Sequence, residues 1–281
     1  MGNAAPVRIR LIFAIALLLA AAGCAQAPNG GTAQQAGPPS GALSQADVIA
    51  EAEHLRVALL QEVPQHTTRT AESDRTWITL AKAAVAASSF AIDHPQLLVV
   101  VDRNPEVQEL CIVVAQPGGL PWLVIGGSKV STGQAGRHGY FITPTGVFPH
   151  TRDIVDYRAL GTFNEQHIRG LGLKGMRVWD FGWQSAEKGW LPHHELGEMR
   201  LLLHATDPDY LEPRLGRAVS EGCIRIPASM NRFLDLHGVL DADYERAAPE
   251  DARINALLLP ERIPTRLAGN ALAVVDSSQQ D

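Results

Sequence analysis

In the stretch AVSEGCIRIP (218–227) one cysteine, Cys223, follows a glycine and precedes an arginine by two positions, with isoleucines at 224 and 226. Alternate residues of a strand share a face, so Ile224 and Ile226 should enter a core while Cys223 and Arg225 point together the other way. On that face a nucleophilic thiol and an anion-binding guanidinium could cooperate. Gly222 permits a tight bend, and backbone N–H groups at such a bend can stabilise an oxyanion. A thiol also needs help to ionise, most often from a histidine. The candidate is His204, at the end of the apolar run MRLLLH (199–204), where it should face a rim rather than bulk solvent. Asp207, Asp209 or a backbone carbonyl such as that of Ala205 can orient its ring.

Other residues with chemical potential read more plainly. Cys111 lies in the apolar run LCIVVAQ and reads as an interior thiol, a Cys111–Cys223 disulfide being the competing use of the pair. His193, His194 and Glu195 are adjacent, but no third ligand is spaced for zinc, so they read as a solvated loop. His138 reads as a loop histidine that can border a cleft. Trp179, Trp183 and Trp190 fall in residues 150–198, a segment long for a strand connection; they either cap a substrate cleft or pack on the body of the fold.

The elements that must position these residues are mostly short. LLVVV, LCIVVA, WLVIGG, GYFITPTGVF, MRVWDFGW, MRLLLHAT, VSEGCIRI and ALAVV read as strands, punctuated by Gly and Pro. They predict a mainly β chain, a sandwich or barrel with a few helices attached. After Pro227, Met230, Phe233, Leu234 and His237 recur at helical spacing, and Gly238 can close the helix. Two earlier helices are predicted, over 44–63 with Ser44 and Asp47 in capping-box spacing, and over about 74–91. They read as a helical preface, residues 44–94, to a domain over 95–277.

Arg8 and Arg10 precede the apolar run LIFAIALLLAAA (11–22), which closes on small residues and Cys24. This is the pattern of a secretory signal, residues 1–23, and AAGC resembles the lipobox of bacterial lipoproteins. Lipidation of Cys24 competes with an ordinary cleaved signal. If lipidated, the chain is expected at the cell envelope, in the periplasm, with the outer-membrane class suggested by Ala25. Residues 24–43 are uncharged and rich in Gly, Pro, Ala and Gln, a linker. The whole chain has a net charge of −6, and the signal carries two of its arginines and no acid. Such a surface argues against nucleic acid and against electrostatic binding to anionic lipid.

His204, followed by Ser220, Gly222, Cys223, Ile224 and Arg225, with the upstream STGQAGRHGYFITPTGVF (131–148), resembles the L,D-transpeptidase catalytic domain, also called the YkuD domain. The resemblance covers roughly residues 95 to 277 and implies a β-sandwich whose active site is built from the histidine and the Ser-x-Gly-Cys segment. It implies acyl transfer on peptidoglycan stem peptides. Cys223 would attack the amide between an L-configured centre, typically diaminopimelate, and a D-amino acid, and the resulting thioester would pass to an amine. His204 would be base and then acid, the amides of Gly222 and Cys223 would hold the oxyanion, and Ser220 and Arg225 would contact substrate. No metal or cofactor is implied, and carbapenem-type inhibitors are expected to acylate the thiol. Sortases have a longer His to Cys interval, and cell-wall peptidases of the NlpC/P60 type have the cysteine first. Glu221 stands where many relatives have histidine, which feeds the alternative of a catalytically inactive, peptidoglycan-binding envelope lipoprotein on the same fold. The acceptor, whether a stem peptide, a free D-amino acid, a protein or water, is left open.

Overall fold

The structure is a computed structural model that describes residues 43–279. The signal, Cys24 and all but the last residue of the linker therefore lie outside the described residues. Helix α1 (Gln45–Glu62) opens where Ser44 accepts from the Asp47 amide and Asp47 reciprocates, which satisfies orphan donors at the helix start. Helix α2 (Ala71–Ala86) begins earlier than predicted, because Thr70 and Ser73 form a second capping box. It also ends earlier: the Ser88 hydroxyl donates to the Val85 carbonyl and accepts from the Phe90 amide, offering the backbone a turn instead of another helical residue.

Nine strands follow: β1 (Gln96–Asp102), β2 (Glu109–Ala115), β3 (Leu123–Lys129), β4 (Gly146–Pro149), β5 (Tyr157–Arg158), β6 (Arg177–Glu187), β7 (Leu196–Ala205), β8 (Ile224–Ile226) and β9 (Ala271–Val275). They form a five-stranded sheet in the order β3-β2-β1-β9-β4 and a four-stranded sheet in the order β5-β6-β7-β8. Leu97, Val99, Val101, Ile112 and Leu272 of the larger sheet share one core with Trp179, Phe181, Leu201, Leu203, Ile224 and Ile226 of the smaller. The opposite face of the larger sheet, with Leu98, Val100, Cys111, Val113 and Ala273, packs on Trp77, Leu80 and Ala81 of α2. Every residue of β1 is buried, as expected of a strand covered on both faces, and such strands read as continuous apolar runs.

The expectation of a mainly β chain needs correction. Helices and strands take roughly equal shares of the described residues, since α1 and α2 are joined by three later helices, α3 (Ala228–Leu236), α4 (Ala242–Ala247) and α5 (Ala252–Leu257). α4 and α5, six residues each, are too short to show a period in sequence. The segment 44–94 does more than precede the sheets. α1 buries Val48, Ala52, Leu55 and Leu59 in the shared core, α2 lines the second core, and the connector between them caps β3 through a His66–Ser128 bridge and a Thr67 amide bond to Gly127 O at 2.9 Å.

A buried charge network ties β6 to the C-terminal helices. Arg177, fully buried, reaches Asp156 Oδ2 with Nε at 2.8 Å and Asp241 Oδ1 with Nη2 at 3.2 Å. His150 bonds Asp156 Oδ2 with Nε2 at 2.9 Å and Leu240 O with Nδ1 at 2.8 Å. Leu240 O can only accept, and an ionised Asp156 likewise, so both ring nitrogens donate and His150 is an imidazolium. Burial alone would lower its pKa, but Asp156 outweighs burial and raises it. His150, Asp156 and Asp241 are spaced for a metal ion, yet two cationic side chains already lie on these carboxylates. Arg177→Met removes the guanidinium from three buried carboxylates, those of Asp156, Asp235 and Asp241, and urea unfolding should show a loss on the order of 3–5 kcal/mol.

Candidate active site

The outer face of the four-stranded sheet carries the chemistry. β7 and β8 run parallel with Leu203 beside Ile224 and His204 beside Arg225. Ile224 and Ile226 are fully buried, so Cys223 and Arg225 project from the opposite face together with His204, as the alternation predicts. Continuing the ladder by one residue places Cys223 opposite Leu202 and one diagonal step from His204.

The loop before β8 is held by the two upstream segments that carried the family resemblance. Ser131 exchanges both backbone hydrogen bonds with Arg225, the Ser220 amide donates to Thr132 O, and the Gln134 amide donates to Ser220 O. The buried Thr143 hydroxyl accepts from the Gly133 amide at 2.8 Å and donates to Gly222 O at 2.7 Å. Within the loop the Ser220 hydroxyl donates to Cys223 O at 2.5 Å and accepts from the Gly222 amide at 3.1 Å. Gly222 has φ +131°, and a Cβ there would lie 2.7 Å from Met199 Sδ and 3.2 Å from Phe141 Cβ. Only glycine combines that backbone with that space.

His204 is oriented by its backbone neighbour. Its Nδ1–H donates to Ala205 O at 2.6 Å, which leaves Nε2 as the basic nitrogen. Asp207 instead accepts the amides of Arg169, Asp209 and Tyr210, and Asp209 meets Arg169; neither carboxylate is bonded to His204. The thiol of Cys223 is directed at Arg200 O, 3.7 Å away, and among the described residues no hydrogen bond joins it to His204. Burial pushes the His204 pKa down to about 4, with the Arg225 charge acting in the same direction. Burial also pushes the Cys223 thiol up; Leu202 N–H and Arg225 oppose this, while Glu221 and Asp180 add to it. At neutral pH both groups are uncharged, so the resting site is a thiol and an imidazole rather than an ion pair.

Arg225 is half-buried. Its Nη1 donates to Val219 O at 3.4 Å, and its Nε is buried with no hydrogen-bond partner, an unsatisfied cationic donor next to the thiol. Glu221 is exposed and forms no ion pair with Arg225 among the described residues. The amide of Gly222, expected at an oxyanion, is already engaged by Ser220. Cys111 and Cys223 are both free, and Cys111 belongs to the α2-side core, so no disulfide joins them.

The three tryptophans part company. Trp179 is fully buried between the sheets and caps nothing. Trp190 meets His138 with the rings tilted at 50° and Phe141 edge-on at 5.3 Å, and the Phe141 amide donates to Glu221 O, so this group borders the cysteine loop. Trp183 is 64 % exposed. His194 bonds Glu187 at 2.6 Å on the surface, consistent with a solvated loop.

Sequence reasoning passed over three residues of this face, Asp180, Arg200 and Tyr157. Asp180 lies opposite Leu202 and Trp183 opposite Arg200, and Tyr157 pairs with Val178, which itself lies opposite His204. Buried Asp180 accepts Arg200 Nε at 2.7 Å and the Gly182 amide at 2.8 Å. The Tyr157 phenol is pushed up by burial and then by Asp180 and Cys223, which puts it within electrostatic reach of the thiol. It also lines a pocket of about 350 Å³ with Leu160, Phe163 and Ile168. The signal for Arg200 was present in MRLLLH, where 200, 202 and 204 share the face of the histidine.

The chain matches no model of a known protein family, and a search of curated proteins finds no relative. Iodoacetamide should alkylate Cys223 at a rate that climbs with pH through 9.0 and beyond, with no plateau between pH 5 and 7; a plateau there would reveal a thiolate stabilised by His204. Thr143→Val leaves Gly222 O and Gly133 N–H buried without partners. Stability should fall by about 1–3 kcal/mol and alkylation of Cys223 should lose its selectivity over Cys111.

Proposed function

We propose that the protein is a cysteine-dependent acyltransferase of the L,D-transpeptidase (YkuD) type, a β-sandwich enzyme acting on peptidoglycan stem peptides. One observation supports this above the others: a glycine-bent loop presents Cys223 on the same sheet face as an Nε2-basic His204 and an Arg225 with an unpartnered donor. The neutral resting pair suits general-base activation. As Cys223 Sγ attacks the carbonyl of the L-configured centre, His204 Nε2 takes the thiol proton. The tetrahedral adduct collapses by breaking the C–N bond, the leaving D-amino acid amine takes that proton, and a thioester remains. An acceptor amine then attacks the thioester and gives its proton to His204, and the sulfur departs as thiolate and is reprotonated. Arg225 holds the α-carboxylate of the D-amino acid through its bidentate fork.

Cys24, as a lipidated residue after signal cleavage, would place this chemistry in the periplasm on the outer membrane, where stem peptides are found. The runner-up is a peptidoglycan-binding envelope lipoprotein without turnover, favoured by the thiol's bond to Arg200 O in place of His204. Intact-mass spectrometry after incubation with a carbapenem separates the two. Transfer predicts a single covalent adduct, kept in Cys111→Ala and lost in Cys223→Ala. A free thiol at 223 and no adduct would favour the binding module.

A further inference from the structure

The segment between β5 and β6 is apolar where a surface connection is expected to be polar. Residues 159–175 include Leu160, Phe163, Ile168, Leu171 and Leu173 with four glycines, and form neither strand nor helix. Leu160 is 76 % exposed and Phe163 52 %, yet the loop is tied at its tip and at its base. At the tip the Asn164 side-chain oxygen accepts the amides of Gln166 at 3.0 Å and Ile168 at 2.9 Å, and the Asn164 amide donates to Ile168 O. At the base the Ala159 amide donates to Met176 O, the Gly175 amide to Ala159 O, and the Arg169 amide to Asp207 Oδ2 at 2.9 Å. Two glycines let the limbs close: a Cβ at Gly161 (φ +69°) would lie 2.5 Å from Lys174 N, and one at Gly172 (φ +84°) 2.7 Å from Ala205 Cβ. Apolar side chains clustered in such exposed, fixed positions mark a surface that binds something.

They surround the pocket of about 350 Å³ walled by Tyr157, Leu160, Phe163, Ile168 and Leu171. Its one charged lining residue is Arg158, whose guanidinium makes five hydrogen bonds, shared among Asp235, Gly175 O and Leu257 O. A guanidinium has five N–H donors, so Arg158 has none left for a ligand. The Asn164 oxygen is likewise spent on its own loop. The walls therefore select an uncharged aliphatic or aromatic group, because a charge left there without a partner costs more than burial returns. The volume is at the low end for small-molecule sites, so the group is small. Neither Cys223, His204 nor Arg225 lines this pocket, but it shares structure with their site. Tyr157 pairs with Val178, which pairs with His204, so Tyr157 stands in the row of the histidine two strands away and within electrostatic reach of Cys223. Gly172 packs on Ala205, whose carbonyl holds the His204 ring.

We propose that this pocket is an effector site for a small uncharged aliphatic or aromatic group, and that filling it slows reaction of the Cys223 thiol. The direction follows from solvent. A ligand against Tyr157 removes water from the surroundings of a thiol whose ionisation already suffers from burial, so the thiolate becomes rarer at any given pH. The inference stands apart from the acyl-transfer reading, since it concerns binding and thiol ionisation alone.

The test titrates the full chain with unbranched primary alcohols by calorimetry. Affinity should rise about fourfold for each methylene added between butanol and hexanol, and level off once the chain outgrows the pocket. Leu160→Ser, at a side chain too exposed to matter for folding, should weaken hexanol binding by about threefold or more. Gly170 also lines the pocket, its φ is not in the left-handed region, and a Cβ there would meet nothing within 4 Å. Gly170→Leu should therefore fill the space without strain and abolish hexanol binding. In parallel, saturating hexanol should slow iodoacetamide alkylation of Cys223 at mildly alkaline pH by about twofold or more in the wild type, and have no effect in Gly170→Leu. Affinity that climbs past decanol without levelling, or that ignores both variants, would show general adsorption to apolar surface and overturn the site. Binding at the pocket with alkylation unchanged would overturn the effector role. Neither result alters the carbapenem adduct that tests the proposed function.

Discussion

The Thr143 hydroxyl, buried among three chain segments, accepts from Gly133 and donates to Gly222. Gly222 O would otherwise be an unsatisfied carbonyl beneath a bend that glycine alone adopts, and the direction of the Cys223 side chain depends on that bend. Thr143 is itself anchored, since its carbonyl accepts Arg103 Nη1 at 2.6 Å and Arg103 pairs with Asp276 just past β9. Cys223 is thus located by a chain of hydrogen bonds that begins just past the ends of β1 and β9, not by the three-residue strand that follows it. Such fixed geometry is what the proposed acyl transfer would require, because orientation is lost when the groups around a reacting atom are loose.

What can be read from the sequence follows from how local each cause is. β1, β2 and β9 are legible as apolar runs because both of their faces are covered, and MRLLLH is legible because one face is core and the other carries Arg200 and His204. The Ser44 cap is legible because its partner is three residues away. The Asp156, Arg177 and Asp241 network has no local signature, its members being drawn together by the fold. Trp179 and Trp183 look equivalent in RVWDFGW, and only the bulge at Gly182 distinguishes a core residue from an exposed one. The residues named from sequence, Cys223, His204, Arg225, Ser220, Gly222 and Ala205, do gather at one place. The sequence does not show that the amide of Gly222 is spent inside the loop, or that the orienting partner of His204 is Ala205 rather than an aspartate.

Electrostatically, the molecule separates two kinds of buried charge. The Arg177 network holds charge in the interior by pairing, with His150 raised and Asp156 lowered against the burial that opposes both, while burial raises Asp241, whose Oδ2 has no hydrogen-bond partner among the described residues. The face that carries Cys223 does the reverse: burial suppresses charge on His204 and Cys223 and leaves Arg225 Nε without a partner among the described residues. An anionic ligand arriving beside Arg225 would find no resident thiolate to repel it. On the proposed acyl-transfer reading, ligand binding would precede thiol activation, the base acting only once the carbonyl is in place.

With His66 and Thr67 bonded along β3, the outer rim of the larger sheet offers little for another chain to pair with, while α2 roofs the face behind it. Exposed strand rims and apolar sheet faces are the usual nucleation points for intermolecular β pairing. Residues 44–94 therefore act as a guard against self-association, and a recombinant fragment cut at residue 95 would trade a folded domain for an aggregate.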